Sequence, residues 1–161
     1  LRHQALLRAV GATGLPAILS TGMSTLPEIT AALWDLGPMV TLLHCTSAYP
    51  CPIEAVNLLA MIELRDHYGL PIGYSDHTAG IMVAIAAAAL GASVIEKHFT
   101  FDRNAQGPDH KASIEPDEFR VMVDAIRTIE RALGDGIKRV QPCEEGLRRV
   151  WNEPVSTDRA A

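Results

Sequence analysis

The chain has 161 residues, 48% of them hydrophobic and 20% charged, with a net charge of −5. That is enough for one globular domain, too apolar for a disordered chain, and without the clustered positive face that binding nucleic acid requires. Cys45, Cys51 and Cys143 form no CxxC pair and are odd in number, which argues against a disulfide framework or zinc ribbon and for free thiols in a reducing cytoplasm.

The first residue is leucine rather than methionine, and Leu1 to Val10 reads as a helix already in progress, so the chain is expected to be a piece of something longer. A strand-then-helix unit then recurs four times. Strands are predicted at Ala17–Thr21, Val40–Thr46, Pro71–Ser75 and Ser93–Phe99, and helices at Pro27–Leu36, Ile53–Tyr68, Thr78–Leu90 and Pro116–Leu133. Thr25 with Glu28 three residues on is a capping-box pattern, and Pro27 falls in the first turn. Gly37, Gly69, Gly91 and Gly134 each follow a predicted helix. The helix from Thr78 to Leu90 is apolar nearly all round and is expected to be well buried, whereas Pro116–Leu133 carries one apolar stripe. Its apolar run from Ile81 to Leu90 is too short to span a bilayer, and no signal peptide is visible. Residues 138–161, with Pro142, Pro154 and many charges, read as a linker.

Alternating strands and helices imply an α/β fold with a parallel sheet, either an open doubly wound sheet or part of a (β/α)8 barrel. In both, chemistry sits at the carboxyl ends of the strands. Polar residues cluster there: Ser20-Thr21-Gly22, Thr46-Ser47-Ala48-Tyr49, Ser75-Asp76-His77 and Glu96-Lys97-His98. No GxGxxG or GxxxxGK[ST] motif occurs, which weakens a nucleotide-binding reading.

Side chains alternate along a strand, so Ser75 shares a face with His77, and Glu96 with His98. Two histidines at consecutive strand ends suit a divalent ion whose remaining positions stay open to water and substrate. The alternative is a pair of structural histidines bonded to backbone. Glu96 is a candidate acid/base or orienting group. Lys97 alternates away from His98, towards the helical layer. In the loop Gly107-Pro108-Asp109-His110-Lys111-Ala112-Ser113, Asp109 could orient a substrate hydroxyl and Lys111 could meet an anion. Ser20, Thr21 and Gly22 could hold a phosphate or carboxylate. Tyr49 is expected to pack against a ligand or cover the rim, and Cys45 is expected in the core.

The segments Ile18–Ser24, Leu43–Pro50, Gly73–Thr78, Ile95–Thr100 and Gly107–Ser113, in this order, resemble the sialic acid synthase family, which includes N-acetylneuraminate, legionaminic acid and pseudaminic acid synthases. The resemblance runs from about residue 15 to residue 135. It implies a (β/α)8 barrel of the TIM type followed by a small antifreeze-like domain. This chain would hold the last four β/α units: residues 1–137 as the C-terminal half of the barrel, and 138–161 as a linker toward a missing antifreeze-like domain.

The implied reaction condenses phosphoenolpyruvate with the open-chain aldehyde of an N-acetylated amino sugar such as N-acetylmannosamine, with manganese or magnesium as the divalent ion. By resemblance, His77 and His98 ligate the metal, and Ser20 and Ser75 contact phosphoenolpyruvate. Ser47 stands where some members have an asparagine that does so. Glu96 and Asp109 handle the sugar's hydroxyls or aldehyde, and Tyr49 packs near its N-acyl group. A different phosphoenolpyruvate-dependent keto-acid synthase, an aldolase barrel and an inactive truncated half-barrel are the alternatives. A half-barrel leaves strand edges unpaired, so a homodimer is expected; no membrane partner is.

Overall fold

The computed structural model describes residue 1 and residues 3–152. After helix α1 (Gln4–Gly11), strands β1 (Ala17–Ser20), β2 (Val40–Cys45), β3 (Ile72–Asp76) and β4 (Ile95–Lys97) lie parallel in the order β1-β2-β3-β4. Crossover helices α2 (Leu26–Leu36), α3 (Ala60–Tyr68) and α4 (Met82–Ala89) connect them, and α5 (Pro116–Leu133) follows β4. The result is a curled parallel sheet with helices outside it, a half-barrel of the TIM type.

Register decides which side chains share a face. Leu42 pairs with Ile72, and His44 with Tyr74, which in turn pairs with Ile95. This face meets the helices, and Leu42, Ile72 and Tyr74 are buried there with Ile29, Met61, Leu64 and Ala87. On the opposite, inner face, Ser20 pairs with Leu43 and Leu43 with Gly73; Cys45 pairs with Ser75, and Ser75 with Glu96. Cys45, Ser75 and Glu96 therefore form one row across three strands. Gly73 is required on that face, because a Cβ there would lie 2.5 Å from both Leu43 Cδ2 and the Val94 carbonyl oxygen. A second cluster of Ala84, Ile114 and Met122 joins α4 to α5.

Most element boundaries fall within a residue of the sequence expectation, and the larger departures mostly have visible reasons. The helix expected at Ile53–Tyr68 is a 3₁₀ turn at Ile53–Ala55 followed by α3 from Ala60. Side chains at the end of β2 and just after it take its carbonyls: His44 Nε2 bonds Val56 O at 2.8 Å, and Thr46 Oγ1 donates to Ala55 O at 3.1 Å. Asn57 then adopts a positive φ of 47°, which interrupts a right-handed helix. The helix expected from Thr78 starts at Met82, because Asp76 Oδ1 accepts both the Thr78 N–H and its hydroxyl. That helix is also less buried than its composition suggested: Ala84, Ala87 and Ala88 are covered, but Met82 is 75% exposed. Strand β4 is shorter than Ser93–Phe99; beyond it Ile114 returns alongside Phe99 in a parallel bridge, its N–H bonding His98 O at 2.9 Å. Within the stretch read as a linker, residues 142–152 hold a 3₁₀ turn (Pro142–Glu144) and helix α6 (Glu145–Asn152); residues 153–161, including Pro154, lie outside the described residues.

Candidate active site at the strand carboxyl ends

The row Cys45–Ser75–Glu96 sets the floor of the site. Continuing each strand by two residues brings His77 beside His98, and their ring centroids are 5.6 Å apart. The sequence supplies this spacing twice, Ser-x-His and Glu-x-His, and the parallel register aligns the two copies.

Hydrogen bonds define what His77 offers. Its Nδ1 lies 2.9 Å from the Thr46 carbonyl oxygen; a carbonyl only accepts, so Nδ1 carries the proton and Nε2 keeps its lone pair. Ser75 Oγ has one proton, which it donates to Glu96 Oε1 at 2.6 Å. Ser75 lies 3.4 Å from His77 Nε2, so the short bond to Glu96 leaves that nitrogen's lone pair open. The His77 carbonyl accepts the Cys51 N–H at 2.8 Å. His77 is thus fixed at both ring and backbone, with one basic nitrogen facing the inner side.

Tyr49 covers the pair. Its ring centroid is 4.1 Å from that of His77 and 5.3 Å from that of His98, edge-on to the latter. Partial burial raises its phenol pKa above the ordinary value, and negative charge at Cys45, Asp109 and Glu96 adds to this in turn. Asp109, on an exposed stretch of the β4–α5 loop, is therefore near the same ring. The loop also lines a cavity of about 460 Å³ beside the site, shared by Tyr49, Pro50, Gly80 and Lys111.

The sequence candidates thus fall into two groups. Ser75, His77, Glu96, His98 and Tyr49 come together in direct contact, with the Asp109 charge acting on Tyr49 from the exposed β4–α5 loop. Ser20 and Ser47 lie to the β1 side. Ser47 Oγ is 3.9 Å from Cys45 Sγ, and a Cβ on Gly22 would sit 2.2 Å from Ser47 Oγ, so Gly22 lets the two loops close. Thr21 is structural: its hydroxyl donates to Leu43 O at 2.8 Å and is buried. Cys45 is buried, as expected, and its Sγ also lies 3.7 Å from His77 Nδ1. Lys97 turns to the helical face, as alternation requires, and forms a buried pair with Asp76.

The donor set suits an open divalent site. Two imidazoles at this separation can each present a nitrogen at about 2.1 Å to one ion. Among the described residues no three His, Cys, Asp or Glu side chains converge as a closed metal cage, so the remaining positions would fall to water and substrate oxygens.

Fold and site together define a β/α-barrel segment with its polar groups at the strands' carboxyl ends, the layout of barrel enzymes. The sequence matches the model of the NeuB family over residues 1–138, and the chain belongs to that family. It is 50% identical over 145 residues to the N,N'-diacetyllegionaminic acid synthase of Campylobacter jejuni, covering 86% of this chain and 43% of that protein. Against the human N-acetylneuraminate-9-phosphate synthase it is 42% identical, covering 88% of this chain and 41% of that protein. The crystal structure of N-acetylneuraminic acid synthetase from Leptospira borgpetersenii, in complex with citrate, superposes with a TM-score of 0.83 at 38% identity, over 93% of this chain and 54% of that one. The chain thus spans about two-fifths of the length of these curated relatives. No helix among the described residues is long and apolar enough to cross a membrane.

Proposed function

We propose that this chain forms the C-terminal half-barrel of a sialic-acid-type synthase, which joins phosphoenolpyruvate to an N-acyl amino sugar and releases phosphate. Carbon 3 of phosphoenolpyruvate forms the new bond to the sugar's aldehyde carbon, and the aldehyde oxygen gains a proton. Water adds at carbon 2, the C–O bond to phosphate breaks, and a nine-carbon 2-keto sugar acid remains. His77 and His98 hold a divalent ion, manganese or magnesium, which when bound polarises the aldehyde.

The chain's own groups carry the rest. Glu96, already accepting the Ser75 proton at 2.6 Å, is an acid/base or orienting group for the sugar. Ser75, Ser20 and Ser47 meet phosphoenolpyruvate. Asp109 orients a sugar hydroxyl, and Tyr49 packs on the N-acyl group and shields the histidines from water. Residues 138–161 lead toward a further domain, and the working assembly is a homodimer.

The observation that carries this reading is the alignment of His77 and His98 over the Ser75–Glu96 hydrogen bond at the strand ends of a NeuB-family barrel. It favours this chemistry over a Schiff-base aldolase, because the strand-end lysine, Lys97, is buried on the outer face against Asp76.

The test is phosphate release from phosphoenolpyruvate by the product of the complete reading frame that encodes this chain, with N-acetylmannosamine and Mn²⁺. Release should need all three components and fall at least about 100-fold in His77→Ala and in His98→Ala, since each removes a metal ligand. Unchanged release in folded variants overturns the assignment.

A further inference from the structure

Behind the two histidines, on the opposite face of the sheet, lies an ion pair that the proposed reaction does not use. Lys97 Nζ lies 2.8 Å from Asp76 Oδ2, with side chains 2% and 0% exposed. Besides Tyr74, which bonds Asp76 from within β3, its partner is Thr78, on the far side of His77. Asp76 Oδ1 accepts the Thr78 N–H at 2.9 Å and the Thr78 hydroxyl at 2.7 Å. Lys97 donates a second bond to the Thr78 carbonyl at 2.9 Å. Asp76 and Thr78 flank His77, and Lys97 sits between Glu96 and His98.

A buried ion pair is poor value as a source of stability, because desolvating both charges offsets most of their attraction, and an apolar pair of similar size often does as well. Its return is conformational: charge-assisted bonds are short and directional. Here the bonds link the end of β3 to the end of β4. The strands leave their ladder at Asp76 and Lys97, so His77 and His98 lie beyond the last β3–β4 ladder pair. The ammonium crosses the gap where that ladder stops.

We propose that Lys97 and Asp76 are positioning residues, a tether that holds the ends of β3 and β4 at one height so that His77 and His98 meet the same ion. This rests on the reading of those histidines as metal ligands. It gives Asp76 and Lys97 a role at the site although neither faces it.

The test is Mn²⁺ binding to the full chain, read from the free-ion electron paramagnetic resonance signal and corrected for the folded fraction by circular dichroism. Lys97→Met and the double variant Asp76→Asn/Lys97→Met are compared with wild type. The double variant leaves no unpaired buried charge, which guards against Lys97→Met failing to fold. Affinity per folded molecule should fall about 10- to 100-fold in both, as for loss of outer-shell support at other metal sites. A folded double variant with wild-type affinity overturns the proposal, and so does a double variant that cannot fold, which would make the pair purely structural. If the wild-type chain binds no Mn²⁺, the ligand reading itself fails. The histidine ring resonances then decide the tether alone: shifted and broadened His77 and His98 signals in the double variant support it, and unchanged signals overturn it.

Discussion

Tyr74 and Ser75 are neighbours that face opposite ways, and each shows how one residue's surroundings set its chemistry. Ser75 looks inward, its hydroxyl held by Glu96. Tyr74 looks outward, is 1% exposed, and stands beside the buried carboxylate of Asp76. Burial first, and then the Asp76 charge, push the Tyr74 phenol well above its ordinary pKa of 10.0. In the unfolded chain it ionises near that value, so above about pH 10 the unfolded state binds fewer protons and stability falls as pH rises. Below that pH the folded chain keeps the full benefit. Urea midpoints should therefore drop on going upward through this range, and Tyr74→Phe should drop less than wild type; equal drops would contradict the argument. At this scale the sequence was informative about direction and silent about contact. Alternation alone grouped Ser75 with His77 and Glu96 with His98 and turned Lys97 away. It gave no sign that Cys45 lies 3.7 Å from His77 or that Asp76 is the partner of Lys97, because both contacts depend on register between strands that long crossovers separate.

Elements were legible where a local signal was strong. The Thr25–Glu28 capping box starts α2, with Glu28 Oε2 accepting the Thr25 N–H at 2.8 Å. The apolar stripe of α5 puts Met122 in the second core cluster. They were misjudged where a distant side chain overrode the local pattern, as when His44 and Thr46 capture the carbonyls of Ala55 and Val56 and delay α3. Gly73 shows the same dependence on neighbours. In sequence it is only a glycine in a strand, yet its missing Cβ lets β2 and β4 approach β3. Gly73→Ala has a backbone carbonyl and a buried leucine methyl in its way, and should lower stability by about 1–3 kcal/mol by overpacking. Chemical denaturation would measure this, and an unchanged midpoint would mean the strands can separate without cost.

As a whole molecule the chain has two sides of different character. Helices cover the outer face of the sheet, but among the described strands β1 pairs only with β2, and β4 only with β3. Ile18, on the inner face of β1, is 59% exposed. Open parallel edges of this kind recruit other strands, so the isolated chain should sediment as a dimer or larger species; a monomer that melts cooperatively would contradict that expectation. Four strand-helix units with polar residues at the strand ends fitted an open doubly wound sheet as well as a barrel; the resemblance to the sialic acid synthase family implied the barrel, and the relatives agree with it. The central claim is that these strand ends are half of a site that builds a 2-keto sugar acid. Mass spectrometry of the products from the complete reading frame, supplied with phosphoenolpyruvate, N-acetylmannosamine and Mn²⁺, tests it most directly. The account predicts a nine-carbon 2-keto acid formed in equal amount to the phosphate released, and neither product in His77→Ala. Phosphate released without a nine-carbon product, or a nine-carbon product formed undiminished by His77→Ala, would contradict it.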